Sequence, residues 1–299
     1  MPAFPAPYAP FAAFVAPAKG RTELWRTLAG LVVAMVFYLF ALRLLSTAIL
    51  SSLDALEGLL TLQAIARGAS PLGVVELLFT DLALTAGLTL ACRLVLNRSL
   101  GSLIGGVRPA WRCFLWAAGP LCTLSVLLLP LQIMAPNVTR HLTLWEQMRW
   151  LPLALPGLLI QTGTEELIFR GYLQQQLGAR WSSPWVWMGL PAALFGVLHW
   201  APDEYGVMAP LIVLWAVAFG LANADLTART GNLGAAVGLH FAANAQSLLL
   251  IALYGNLSGL SLFTIDLPSG QPWALLPYLA IDTASLLVSW LAIRVILRV

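Results

Sequence analysis

Eight apolar runs follow one another along the chain, and they set the expectation for the fold. A helix that crosses a bilayer needs about 20 mainly apolar residues. By that criterion the sequence predicts an all-α protein, a polytopic membrane helix bundle of about eight transmembrane helices. The predicted spans cover residues 28–50, 72–96, 111–134, 151–173, 185–200, 207–224, 233–254 and 273–297, of which the fifth is short.

The positions of the basic residues test this count, because cytoplasmic loops of membrane proteins carry the excess of Lys and Arg. With eight spans and the N-terminus inside, twelve of the 16 basic residues fall on the cytoplasmic side. Arg43, Arg67, Arg140 and Arg149 fall outside. Seven or nine spans would break this alternation. The pattern therefore predicts that both termini are cytoplasmic.

The composition agrees with a protein of the lipid bilayer. The 299 residues are 60% hydrophobic and 10% charged, and the mean hydropathy is +0.84. A soluble globular domain carries about 25% charged residues. The net charge of +3 is small and no basic aromatic patch is visible, so no nucleic-acid partner is expected. The oligomeric state is left open.

The chain is expected to form one membrane domain over residues 27–299, since no internal repeat or second domain is visible. The first residues, MPAFPAPYAPFAAFVAPAKG, are rich in Pro and Ala. We predict that residues 1–26 are a disordered or surface-lying tail. The segment RHLTLWEQMRW, residues 140–150, is predicted to be a short amphipathic helix on the outer surface.

The stretch GTEELIFRGYL, residues 163–173, puts three charged side chains into an apolar run. Ionisable groups within a membrane are expensive and face the bundle interior or a wet cavity. On a helix, Glu166 and Arg170 share a face and can form an ion pair. Glu165 is rotated by about 100° from Glu166. It is therefore free to point into a cavity, where a lone carboxylate needs a partner or a function.

Two further motifs carry histidines in apolar segments. His199 closes FGVLH, which begins at Phe195, and His240 opens HFAAN, which ends at Asn244. The members of each pair are four residues apart and share a helix face. Each histidine by itself is explained as a hydrogen-bonded core residue. Packing alone explains poorly why these groups and Glu165 lie on three separate apolar helices.

The chemistry that these residues can perform together is the activation of water. A carboxylate in a low-dielectric site can act as a general base. One histidine can hold the water or relay its proton. A second histidine and an amide can donate hydrogen bonds to a developing oxyanion. Such a set would hydrolyse an acyl bond, for example a peptide bond.

The motifs EELIFR, FGVLH and HFAAN, in this order, resemble the EExxxR, FxxxH and HxxxN pattern of the CPBP family. This family comprises CAAX prenyl protease 2 and bacteriocin-processing proteins and was once called the Abi family. The resemblance covers residues 151–254, the predicted catalytic core. It implies an intramembrane endopeptidase of a bacterial inner membrane, acting on a membrane-associated or lipidated protein or peptide.

The resemblance also implies a role for each motif residue. Glu165 would activate water with help from His199, and His240 and Asn244 would form the oxyanion hole. The site-structuring residues would be Glu166, Arg170 and Phe195. One feature fits poorly, because Glu165 and His240 lie about 12–14 Å from the cytoplasmic face by helical rise, whereas His199 lies near the outer end of its short span.

Two alternatives stay open at this point. No cofactor is expected, because the chain lacks the HExxH helix typical of zinc proteases, but Glu165, His199 and His240 could supply three zinc ligands. The protein could also be a non-catalytic membrane scaffold or a bacteriocin self-immunity protein on the same fold. A proton-coupled transporter is disfavoured, since no inverted repeat is visible.

Overall fold

The computed structural model describes residues 4–135, 137–267 and 271–299, and it has the all-α architecture that the apolar runs predict. The helices are α1 Phe11–Val15, α2 Leu24–Ser52, α3 Ala55–Arg67, α4 Pro71–Leu94, α5 Val107–Gln132, α6 Leu144–Glu166, α7 Gln175–Arg180, α8 Leu190–Val197, α9 Pro202–Tyr205, α10 Ala209–Thr230, α11 Gly234–Ala245 and α12 Leu276–Leu297. The π-helical stretch Leu167–Gln174 extends α6, Trp185–Gly189 precedes α8, and Gln246–Leu250 extends α11.

Five of the eight predicted spans are helices that are long and apolar enough to cross a membrane. They correspond to α2, α4, α5, the stretch that ends in α10, and α12. The other three predicted spans are also helical, but α6 carries charged side chains and the helices around α8 and α11 are shorter. The protein is therefore a multi-pass integral membrane protein with a helical bundle.

The segment at 140–150 differs from its prediction, because it does not form a separate surface helix. Helix α6 begins at Leu144 and continues unbroken to Glu166. Its start is fixed by a capping box, in which the Thr143 hydroxyl accepts from the Glu146 backbone and the Glu146 carboxylate accepts from the Thr143 backbone. The polar residues thus belong to the first turns of a helix that leads directly into the EELIFR motif.

The structure also contains a small sheet that the apolar pattern does not predict. Strand β1, Val138–Arg140, pairs antiparallel with β3, Phe263–Ile265, and β3 pairs parallel with β2, Ile251–Leu253. Thr264 lies opposite both Thr139 and Ala252. The seventh predicted span, which ran to residue 254, therefore ends earlier. The sheet satisfies backbone groups of the connections that meet at one end of the bundle.

The prediction of a disordered or surface-lying tail is wrong for the described N-terminal residues. Phe11 and Phe14 are 0% and 2% exposed, and the Phe11 ring lies 4.3 Å from that of Trp187. The Tyr8 hydroxyl donates to the Asp225 carboxylate at 2.8 Å. Aromatic residues three or four positions apart line one side of short helices, and this spacing outweighs the Pro and Ala content. That residues 27–299 form one domain stays a prediction.

Small residues bring the helices of the C-terminal half into close contact. A Cβ atom on Gly234 would lie 1.8 Å from the Ala110 carbonyl oxygen, where α11 crosses α5. A Cβ atom on Gly220 would lie 2.9 Å from the Ala192 Cα, where α10 meets α8. Small residues at helix contacts let backbones approach closely in membrane bundles. These two contacts place α8, α10 and α11 around the end of α6.

The buried N-terminal segment leads to a prediction about stability. Phe11→Ala should lower the free energy of unfolding by about 3–5 kcal/mol, because the substitution leaves a cavity beside Trp187. Phe40→Ala is the matched control, since Phe40 is 61% exposed on α2 and should change little. Thermal unfolding of the two purified variants in one detergent measures both effects. Equal melting temperatures would show that the N-terminal segment does not stabilise the bundle.

Candidate active site

The two adjacent glutamates at the end of α6 lie in different environments, as their rotation on the helix predicts. The Glu166 side chain is fully buried, whereas the Glu165 side chain is 27% exposed. The Arg170 Nη1 atom donates to the Glu166 Oε1 atom at 2.9 Å, which forms the ion pair predicted from their spacing. The pair lies where α6 passes into its π-helical extension, and π-helical turns are frequent at functional sites.

The buried guanidinium of Arg170 has further partners. Its Nη2 atom donates to the Gly220 carbonyl oxygen on α10 at 3.1 Å. Its central carbon lies 5.0 Å from the centre of the Phe195 ring and 5.7 Å from that of Phe169. A buried charge is tolerated only when it is paired and hydrogen-bonded. Arg170 meets this condition and connects α6 to α8 and α10.

His240 on α11 lies between the two glutamates. Its Nδ1 atom is 2.8 Å from the Glu166 Oε1 atom, and its Nε2 atom is 3.6 Å from the Glu165 Oε2 atom. Because an ionised carboxylate only accepts hydrogen bonds, the Nδ1 atom carries a hydrogen and donates a hydrogen bond to Glu166. The ring edge packs against Phe219, with 5.1 Å between ring centres. These contacts fix the ring with Nε2 directed at Glu165.

Glu165 has a second partner that the motifs do not contain. The Gln161 Nε2 atom donates to the Glu165 Oε1 atom at 2.5 Å. The Gln161 Oε1 atom accepts from the Asn244 Nδ2 atom at 3.0 Å. Sequence analysis missed Gln161, although it is a polar residue in an apolar run, one helical turn before Glu165. The structure therefore joins Asn244, Gln161, Glu165, His240 and Glu166 in one network.

His199 contacts Phe195, which in turn packs against His240. It follows the end of α8 in a turn and is half-buried, and its Nδ1 atom donates to the Phe195 carbonyl oxygen at 2.8 Å. Its ring lies 4.5 Å from the Phe195 ring, which in turn lies 6.1 Å from that of His240. In the described part of the chain, no hydrogen bond joins His199 to Glu165. A neutral His199 presents an unprotonated Nε2 atom that can accept a hydrogen bond.

The proposed zinc alternative can be compared with this geometry. Glu165 and His240 approach each other, but the Nδ1 atom of His199 is turned to the Phe195 backbone. Across residues 4–135, 137–267 and 271–299, no three His, Cys, Asp or Glu side chains are grouped so that they could hold a metal ion. The residues of this alternative therefore do not fit a three-ligand site, and metal dependence stays a question for direct measurement.

The residues of this network lie in a part of the chain that matches a known protein family. The family model described as "Type II CAAX prenyl endopeptidase Rce1-like" matches residues 147–246, which include every residue named in the network. YyaK of Bacillus subtilis (strain 168), an uncharacterized protein, is 30% identical over 273 residues, which are 84% of this chain and 87% of that protein. No solved structure matches the chain.

The buried ion pair predicts different stabilities for two variants of neighbouring residues. Arg170→Met should cost about 3–5 kcal/mol, because it leaves the Glu166 charge buried without its guanidinium. Glu165→Gln should leave stability nearly unchanged, since the side chain is partly exposed and keeps its shape. Chemical denaturation of both variants in the same detergent gives the comparison. The buried pair would be unimportant for folding if Arg170→Met unfolded at the wild-type denaturant concentration.

Proposed function

Because the chain belongs to the Rce1-like family of type II CAAX prenyl endopeptidases, we propose that it is an intramembrane endopeptidase. Its substrate would be a membrane-associated or lipidated protein or peptide, cleaved by water that Glu165 activates. The observation that carries this proposal is the position of Glu165, which is partly exposed and held between Gln161 and His240. A packing role alone does not require a carboxylate with one open side.

In the proposed reaction, the Glu165 carboxylate takes a proton from a water molecule. The water oxygen attacks the carbonyl carbon of the scissile peptide bond, and a tetrahedral oxyanion forms. The proton then passes to the leaving nitrogen, the carbon–nitrogen bond breaks, and a carboxylic acid and an amine form. The acid then gives its proton to the amine, so that a carboxylate and an ammonium group are released. The Nε2 atom of His199 accepts a hydrogen bond from this water, since its Nδ1 atom donates to the Phe195 carbonyl oxygen.

We assign the stabilisation of the oxyanion to His240 and Asn244. The Nδ1 proton of His240 is bound to Glu166, so its Nε2 atom donates only when the imidazole carries a second proton. Asn244 uses one hydrogen of its Nδ2 atom on Gln161, and the second is available for the oxyanion. Preorganised donors of this kind lower the barrier most.

In the same proposal, Glu166, Arg170 and Phe195 position the reacting groups. Glu166 fixes the His240 ring, and Arg170 neutralises Glu166. Phe195 packs between His199 and His240. The protein would lie in a bacterial inner membrane, as the family resemblance implies, with both termini cytoplasmic, as the distribution of its basic residues predicts. The non-catalytic scaffold and the self-immunity protein have no comparable observation in their favour.

Loss of Glu165 as a base should abolish proteolysis. We expect peptide N-termini that appear in membranes of cells making the wild-type protein to disappear with Glu165→Gln, which keeps the shape of the side chain. Glu76→Gln is the matched control, because Glu76 lies on α4 at an apolar cavity between α2, α3 and α4. Its profile should match that of the wild-type protein. Mass spectrometry of labelled N-termini measures the profiles of the wild-type protein and of both variants.

The same experiment separates the peptidase from the scaffold. If the Glu165→Gln and wild-type profiles agree, and Glu165→Gln still rescues the phenotype of a null strain, catalysis is not the function of the protein. The non-catalytic scaffold would then replace the peptidase as the explanation of the fold.

A metal-free reaction predicts that the purified, active protein contains no stoichiometric zinc. Elemental analysis of wild-type protein and of His199→Ala provides the measurement. Activity should survive a strong chelator, because the proposed water is held by side chains alone. One zinc ion per chain, lost on His199→Ala, would contradict the proposal and restore the three-ligand alternative.

A further inference from the structure

Both the nitrogen and the oxygen of the Gln161 side-chain amide form hydrogen bonds within the network. Its Nε2 atom donates to Glu165 at 2.5 Å, and its Oε1 atom accepts from Asn244 at 3.0 Å. Gln161 lies one turn before Glu165 on α6, and Asn244 lies one turn after His240 on α11. The amide therefore bridges the two helices that carry the proposed base and the proposed oxyanion donors.

The orientations of the two amides follow from the charge of one carboxylate. An ionised Glu165 only accepts hydrogen bonds, so Gln161 must turn its NH₂ group toward it. The oxygen of Gln161 then faces Asn244, and an oxygen only accepts. Asn244 must therefore turn its own NH₂ group toward Gln161, because the opposite orientation would place two oxygens together. The charge on Glu165 thus determines, through Gln161, which atom Asn244 presents to the site.

We propose that Gln161 is a positioning residue that couples the base to the oxyanion donor. This inference rests on the proposed function of the same site. An oxyanion needs N–H groups that already point at it before the charge develops. An asparagine on its own has two nearly equivalent amide orientations, and one of them presents an oxygen. Gln161, itself held by its hydrogen bond to Glu165, keeps Asn244 in the orientation that presents a donor.

Gln161→Met tests this role, because methionine has a similar length and makes neither hydrogen bond. We expect kcat to fall by about 10- to 100-fold with KM unchanged, since a misplaced group near the reacting atoms has an effect of this order. The substrate is a synthetic peptide that spans the cleavage site found by the N-terminus comparison, and the enzyme is the full chain in liposomes. A wild-type kcat in Gln161→Met would overturn the inference.

Gln147→Met is the matched control on the same helix. The Gln147 Nε2 atom donates to the carbonyl oxygens of Leu249 and Leu260, which lie outside the network. This variant should unfold at a lower temperature, while the folded fraction keeps the wild-type kcat. If kcat fell equally in Gln147→Met and Gln161→Met, the loss of any glutamine hydrogen bond from α6 would explain the effect. The specific role of Gln161 would then be wrong.

A double-mutant cycle with Asn244→Ala shows whether Gln161 acts through Asn244. We expect Gln161→Met to lower kcat less than twofold further when Asn244 is already alanine, because the group that it orients is absent. Independent effects that multiply would overturn the coupling. The proposed function and the role of Gln161 are contradicted by different results. Undiminished cleavage by Glu165→Gln removes the proposed function, whereas undiminished cleavage by Gln161→Met alone removes only this inference.

Discussion

The arrangement of the site depends on one buried oxygen atom, Oε1 of Glu166. It accepts hydrogen bonds from Arg170 on its own helix and from His240 on α11. Through Arg170 it is also connected to the Gly220 backbone on α10. In a protein interior the attraction between these groups is strong, but so is the cost of leaving any one of them unpaired. The hydrogen bonds to this one oxygen therefore fix the relative position of α6, α10 and α11.

This constraint explains why two adjacent glutamates have different surroundings. The Glu166 side chain is fully buried, and its Oε1 atom is hydrogen-bonded to Arg170 and His240. Glu165 is rotated toward a partly open side, where its contacts with Gln161 and His240 leave room for a further ligand. Carboxylates with different surroundings take different roles at one site. In the proposed reaction the buried glutamate sets the geometry and the exposed one does the chemistry.

The parts of this site that the sequence predicts are those set by helical periodicity. The Glu166–Arg170 pair and the different direction of Glu165 follow from 3.6 residues per turn. The bridge from Gln161 to Asn244 depends on how closely α6 approaches α11, which no local pattern reveals. The same holds for the N-terminal segment, whose burial depends on Trp187, far away in the chain. Sheet pairing between Val138–Arg140 and Phe263–Ile265 is also a long-range contact.

Phenylalanine rings pack against the buried part of the network, next to Arg170 and His240. The Phe195 ring packs against Phe169 and Phe219, with 5.1 Å and 6.0 Å between ring centres. Phe195 and Phe219 also contact His240. Phe169 and Phe195 also lie against the Arg170 guanidinium, so that its attraction to the buried Glu166 acts in a low dielectric. The Glu165 side chain is 27% exposed. In the proposed hydrolysis, the buried ion pair fixes the ring of His240, and the partly exposed Glu165 carboxylate beside it activates the water.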